Sequence, residues 1–91
     1  MKRVIIKVYG DVQGVFYRAN TQVKAQEFDL RGWVCNEPDG TVKIVAEGEE
    51  ENLKKLVDWC YNGVRYAKVE KIDVQWQEAK GEFEKFEIKY N

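Results

Sequence analysis

The chain has 91 residues, 44% hydrophobic and 34% charged, with a formal net charge of −1 and no histidine. That length suits one domain with a two-layer core that needs no disulfide, and the balanced charge argues against a general nucleic-acid or anionic-membrane binder. Without histidine, Ser-His and Cys-His nucleophiles are excluded, and a base poised near neutral pH would have to be a strongly shifted carboxylate or lysine.

Residues 3–9 alternate, with Val4, Ile6 and Val8 on one face and Arg3, Ile5, Lys7 and Tyr9 on the other, which predicts a half-buried first strand. Met1-Lys2-Arg3 leads straight into it without the apolar run of a signal peptide, and no segment approaches transmembrane length, so a cytoplasmic protein without a membrane partner is expected. The strand gives way to Gly10-Asp11-Val12-Gln13-Gly14-Val15-Phe16-Tyr17-Arg18, a glycine-punctuated loop that ends at an arginine and enters a helix. Converging N–H groups in such a loop, together with the positive end of the helix dipole, can cradle an anion such as phosphate. Arg18 opposes that dipole by about 0.3–1 kcal/mol at an exposed position, so something anionic should compensate it. A guanidinium can grip two phosphate oxygens at once; the alternative is a surface pair with Asp11 or another carboxylate.

The helix is expected from Phe16 to Phe28, with Tyr17, Thr21, Ala25 and Phe28 near one stripe and Asp29 as a left-handed stop. Arg31–Asn36 reads as the second strand, Glu37-Pro38-Asp39-Gly40 as a turn, and Thr41–Glu47 as the third strand. Val42, Ile44 and Ala46 share one face of that strand and Lys43 and Glu47 the other, which predicts a sheet covered on one side and largely open to water on the other. Asn36 has two readings from its position alone. Its amide can cap the turn before Glu37-Pro38, or hold a water in line with a bound phosphorus.

Glu49-Glu50-Glu51 opens the second helix, where negative charge complements the dipole, and Leu53, Leu56, Val57 and Cys60 recur at helical spacing up to Asn62-Gly63. The acidic run reads as a helix start, because consecutive helical carboxylates point in different directions and make a poor metal site. Residues 67–77 and 83–90 are the last expected strands, with Lys80-Gly81 between them. The order β-α-β-β-α-β plus a closing strand predicts an α+β, ferredoxin-like sandwich: a mainly antiparallel sheet with two helices on one face. Cys35 falls mid-strand and Cys60 on an apolar helix face, so buried free thiols are expected. No zinc or two-metal cluster is apparent. The third strand has neither the arginine nor the aromatics of an RNA-recognition strand, and Trp33, Trp59 and Trp76 read as packing residues.

Val12-Gln13-Gly14-Val15, followed by an aromatic and Arg18, resembles the signature of the acylphosphatases. Gly32-Trp33-Val34-Cys35-Asn36 with Asp39-Gly40-Thr41-Val42 resembles the strand and turn that carry that family's asparagine. The resemblance covers roughly residues 4 to 90 and implies a single domain over 1–91 with the ferredoxin-like fold. It implies hydrolysis of acyl phosphates to carboxylate and inorganic phosphate by direct attack of water, without metal or cofactor. Arg18 and Asn36 would be catalytic, and Gln13, Gly14, Val15, Phe16 and Arg18 would bind phosphate. The expected partner is a small-molecule acyl phosphate, not nucleic acid, and the expected state a monomer. The alternative is a phosphate or small-anion binding module on the same fold, without turnover. Four positions depart from the family pattern: Phe16 where a small residue is common, Tyr17 for phenylalanine, Asp29 for glycine, and Glu37 where threonine is frequent. Phe16 could narrow the pocket, and Glu37 could repel an anionic substrate if it faced the site.

Overall fold

Alternation along the first strand decides the layout of the whole molecule. In the computed structural model, which describes residues 1–90, Val4, Ile6 and Val8 are fully buried. Asn91, the last residue of the expected domain, lies outside the described residues. The elements follow the expected order: β1 (Lys2–Asp11), α1 (Tyr17–Glu27), β2 (Arg31–Asn36), β3 (Val42–Gly48), α2 (Glu50–Asn62), β4 (Lys68–Glu78) and β5 (Phe86–Lys89). They build a five-stranded sheet in the order β4-β1-β3-β2-β5, antiparallel except where β5 runs parallel to β2. This is the expected ferredoxin-like α+β sandwich.

The helices bury the stripes that their spacing predicts. Tyr17, Thr21 and Ala25 of α1 and Leu53, Leu56 and Cys60 of α2 are buried with Val4, Ile6, Val8, Val34, Ile44 and Phe86 in one core. The Tyr17 hydroxyl donates to the Cys60 carbonyl at 2.6 Å, and its ring lies 5.8 Å from that of Trp59, so the helices meet through one aromatic contact and one buried hydrogen bond. Asp29 stops α1 at φ 57°, the left-handed conformation expected of it.

The pairing directions place three strand ends together. Both β1 and β2 run antiparallel to β3, so they point the same way, and β5 is parallel to β2. The register Val8↔Val42 and Val42↔Asn36 puts the end of β2 level with Val8, near the end of β1, and Lys89 pairs with Cys35, so the loop after β1, Asn36 and the end of β5 all emerge at one edge of the sheet. The β1–β4 pairing shifts register between Tyr9 and Gly10, a bulge that turns the chain toward the loop. A side chain at Gly10 would meet the Lys68 carbonyl at 2.1 Å, so only glycine allows the edge strand to approach there.

Three expectations need correction. The face away from the helices is not simply left to water: Arg3 and Glu47 are 7% and 6% exposed, and Arg3 Nε donates to Glu47 at 2.8 Å. The segment before β5 folds over them, with the Lys80 and Gly81 N–H groups donating to the Glu47 carboxylate at 2.9 and 3.1 Å. Drawn onto this face, Glu82 and Phe83 leave the strand direction, so β5 begins at Phe86 rather than at residue 83. Trp76, read as a packing residue, is 43% exposed on the edge strand β4, where no further strand covers it.

Candidate active site

The loop after β1 is anchored from below and strained at its exit. Val12 is buried in the core, while Gly14 at φ 75° and Phe16 at φ 63° take left-handed conformations that turn the chain into α1. Phe16 is the N-cap of α1, and no side chain caps the helix start. Nor is there an acidic residue in its first turn, so the unpaired N–H groups and the dipole leave positive potential at the loop.

Arg18 rises from this first turn into a cavity of about 230 Å³ lined by Gly14, Phe16, Arg18, Asn36, Ile88 and Tyr90, among others. Its guanidinium carbon stands 5.1 Å from the centre of the Tyr90 ring. Among the described residues Arg18 makes no ion pair, with Asp11 or any other carboxylate. Of the residues singled out from the sequence, Gly14, Phe16, Arg18 and Asn36 therefore share one cavity. Gln13 and Val15 do not line it: Val15 packs against the core, and the Gln13 amide turns to the carbonyls of Glu37 and Thr41 at 2.8 and 2.9 Å. Ile88 and Tyr90 were not singled out as site residues. The alternation of the last strand marks them only as one face of it, and it takes the parallel pairing of β5 with β2 to bring that face beside Asn36.

The turn that follows Asn36 is braced by charge. The Asp39 carboxylate accepts the Thr41 hydroxyl at 2.6 Å and its N–H at 3.0 Å, and pairs with Lys7 at 2.9 Å. These partners, the Thr41 hydroxyl first, hold the Asp39 carboxyl well below the usual carboxylate range. Glu37 lines a different groove, with Lys7, Lys43 and Asp73, and is absent from the walls of the Arg18 cavity. Both cysteines are buried and free as expected, and burial raises the Cys35 thiol and pushes Cys60 up to about 12. Neither is a thiolate at neutral pH, so nothing near Asn36 supplies a sulfur nucleophile.

Comparison with known proteins points to one family. The family model described as acylphosphatase matches residues 4–88. An acylphosphatase of Methylococcus capsulatus is 48% identical over 88 residues, covering 97% of this chain and 96% of that one. Another, from Marinobacter nauticus, is 52% identical over 79 residues, 87% of this chain and 86% of that one. The crystal structure of acylphosphatase from Bacillus subtilis, 39% identical, matches with a TM-score of 0.95 over 99% of this chain and 100% of that one. Among the described residues no helix is long and apolar enough to cross a membrane.

Proposed function

The chain belongs to the acylphosphatase family and is an enzyme that hydrolyses the carboxyl–phosphate bond of acyl phosphates, and we propose that Arg18, the loop amides and Asn36 carry the reaction. The supporting observation is that Arg18, without a carboxylate partner among the described residues, shares one small cavity with Asn36 from a different strand end. Arg18 and the N–H groups of residues 13–16 hold the phosphoryl oxygens, and the Asn36 amide orients a water behind the phosphorus. Water attacks phosphorus, the bond between phosphorus and the carboxyl oxygen breaks, and the leaving carboxylate departs as a stable anion that needs no proton from the enzyme. The proton of the attacking water passes to a phosphoryl oxygen of the substrate. That step suits a chain with no histidine and no thiolate at neutral pH.

Gln13 belongs to this cradle through its backbone, since its side chain is engaged with the turn. Neither metal nor cofactor enters the proposed steps. On this reading residues 1–91 act as one domain, a cytoplasmic monomer that takes a small-molecule acyl phosphate and no nucleic acid.

The test is benzoyl phosphate hydrolysis, with chelator present, by wild type and by Asn36→Ala of confirmed folding. Asn36→Ala should lower kcat about 10²–10³-fold while the inhibition constant of inorganic phosphate stays within a factor of about three, because the water rather than the phosphate has lost its holder. Full turnover in Asn36→Ala would overturn the role given to that amide. A kcat profile that titrates on an essential enzyme base would overturn the proton route.

A further inference from the structure

Two blocks of the chain must meet for water and phosphate to be in line, and one side chain spans the gap between them. Gln13 sits in the loop that follows β1, and its Nε2 lies 2.8 Å from the Glu37 carbonyl and 2.9 Å from the Thr41 carbonyl. Those two carbonyls bracket the turn after Asn36. Each already accepts one backbone hydrogen bond within the turn, Thr41 O from the Glu37 N–H at 2.8 Å and Glu37 O from the Gly40 N–H at 3.1 Å.

The chemistry of this contact is selective. Of the two ends of the amide only the NH₂ can donate to two carbonyl oxygens at once, which fixes its orientation and leaves Gln13 nothing on its donor side for a ligand. A carboxylate in its place would set negative charge against both carbonyls. An alkyl chain would fill the same space without joining loop to turn. Because both carbonyls keep their backbone donors when the side chain is removed, the turn itself stays hydrogen-bonded and the fold survives the change. The turn is also braced without Gln13 by Lys7 on Asp39 and by Asp39 on the Thr41 hydroxyl and N–H. Gln13 is thus a side-chain link between the turn and the loop.

We propose that Gln13 is a positioning residue that sets the distance between the phosphate cradle and Asn36, so that it governs turnover through Asn36 and contributes little to phosphate affinity. The proposal rests on the reading that Asn36 orients the attacking water. Misplacement of a reacting group by about 1 Å can cost roughly 10²-fold in rate, which is the scale on which such a link acts.

The experiment is a double-mutant cycle with Gln13→Met, Gln13→Glu, Asn36→Ala and Gln13→Met/Asn36→Ala, each of confirmed folding. For every variant, kcat with benzoyl phosphate and the inhibition constant of inorganic phosphate are measured. Gln13→Met should lower kcat about 10–100-fold and Gln13→Glu at least as much, with the phosphate inhibition constant of Gln13→Met within about threefold of wild type. In the Asn36→Ala background, Gln13→Met should cause little further loss, since the group it positions is gone. The proposal is overturned if Gln13→Met keeps wild-type kcat while Asn36→Ala is slow, a result that leaves the role of Asn36 standing. It is overturned if the two losses multiply, or if phosphate affinity falls in step with kcat, which would make the Gln13 side chain a phosphate holder. Full turnover in Asn36→Ala would overturn the reading of Asn36 first, and the proposal with it.

Discussion

Two arginines of this chain stack on aromatic rings at the same distance, yet they stand in opposite electrostatic settings. Arg3 lies 5.1 Å from the centre of the Phe83 ring, buried, with Glu47 on its Nε and Glu82 on its terminal nitrogen, each at 2.8 Å. Arg18 lies 5.1 Å from the centre of the Tyr90 ring, half-buried at a helix start, and among the described residues no carboxylate pairs with it. Stacking orients both guanidinium groups. What separates them is charge saturation: Arg3 is neutralised by residues that its own burial requires, whereas Arg18 retains donors for an anion from solution. The first arrangement stabilises the fold, and the second makes a site.

The sharpest way to break this comparison is to remove each arginine and ask what is lost. Arg18→Ala should lower kcat/KM on benzoyl phosphate by about 10²–10³-fold or more, equivalent to about 3–4 kcal/mol of transition-state stabilisation, and weaken phosphate inhibition as well. Arg18→Lys keeps the charge without the planar fork and should recover only part of the loss. Thermal denaturation should place the midpoint of both variants close to wild type. If Arg18→Ala instead unfolds the protein and leaves the folded remainder active, the two arginines are alike and the contrast fails.

The opposite pattern is expected at the buried pair. Glu47→Ala takes the acceptor from the Arg3 Nε and from the Lys80 and Gly81 N–H groups together, leaving Arg3 only Glu82, and should cost about 3 kcal/mol of stability while kcat per folded molecule is unchanged. Acid titration sharpens the point. Burial alone would raise the Glu47 carboxyl, but the Lys80 and Gly81 amides and the Arg3 guanidinium outweigh it, so its folded pKa lies below the ordinary value of 4.5. The unfolded chain therefore binds this proton more readily. Its contribution to stability is complete above pH 4.5 and is lost as the pH falls through the folded pKa. Glu47→Gln should flatten the acid limb of a midpoint-against-pH curve; an unchanged slope would show that the Glu47 carboxylate contributes little.

The same contrast explains what could be read without coordinates. Strand alternation at Val4, Ile6 and Val8 and the helical spacing of Leu53, Leu56 and Cys60 report burial on one element, and the element order with them fixes the fold. Asp29 was legible because a left-handed stop is a local demand. Arg18 was legible as a cation against its own helix dipole. The partners of Arg3 were not, because Glu47 and Glu82 come from residues 44 and 79 positions away, and nothing in the local pattern of the third strand separates a buried glutamate from a solvated one. Tyr90 was hidden for the same reason. The side-chain role of Gln13 had no signal at all, because its hydrogen bonds reach 24 and 28 residues along the chain to two backbone carbonyls, an acceptor type that every residue carries.

The smallest expected effect lies two residues before Arg18. Arg3 sits in a regular strand, but the chain approaches Arg18 through Phe16 at φ 63°, a left-handed conformation that costs a residue with a side chain roughly 1–2 kcal/mol. Phe16 is 77% exposed, so burial repays little of that cost. Phe16→Gly removes the strain but gives the unfolded chain more freedom, worth about 0.4–1 kcal/mol in the other direction. The difference should leave Phe16→Gly more stable by about 0.5–1 kcal/mol, readable as a small rise in denaturation midpoint. The ring also lines the mouth of the cavity, so its removal should raise KM for benzoyl phosphate more than for acetyl phosphate, whose acyl group is too small to reach it. A loss of stability would mean that the ring, not the anion site, holds this turn in place, and that the strain before Arg18 is maintained for packing rather than for binding.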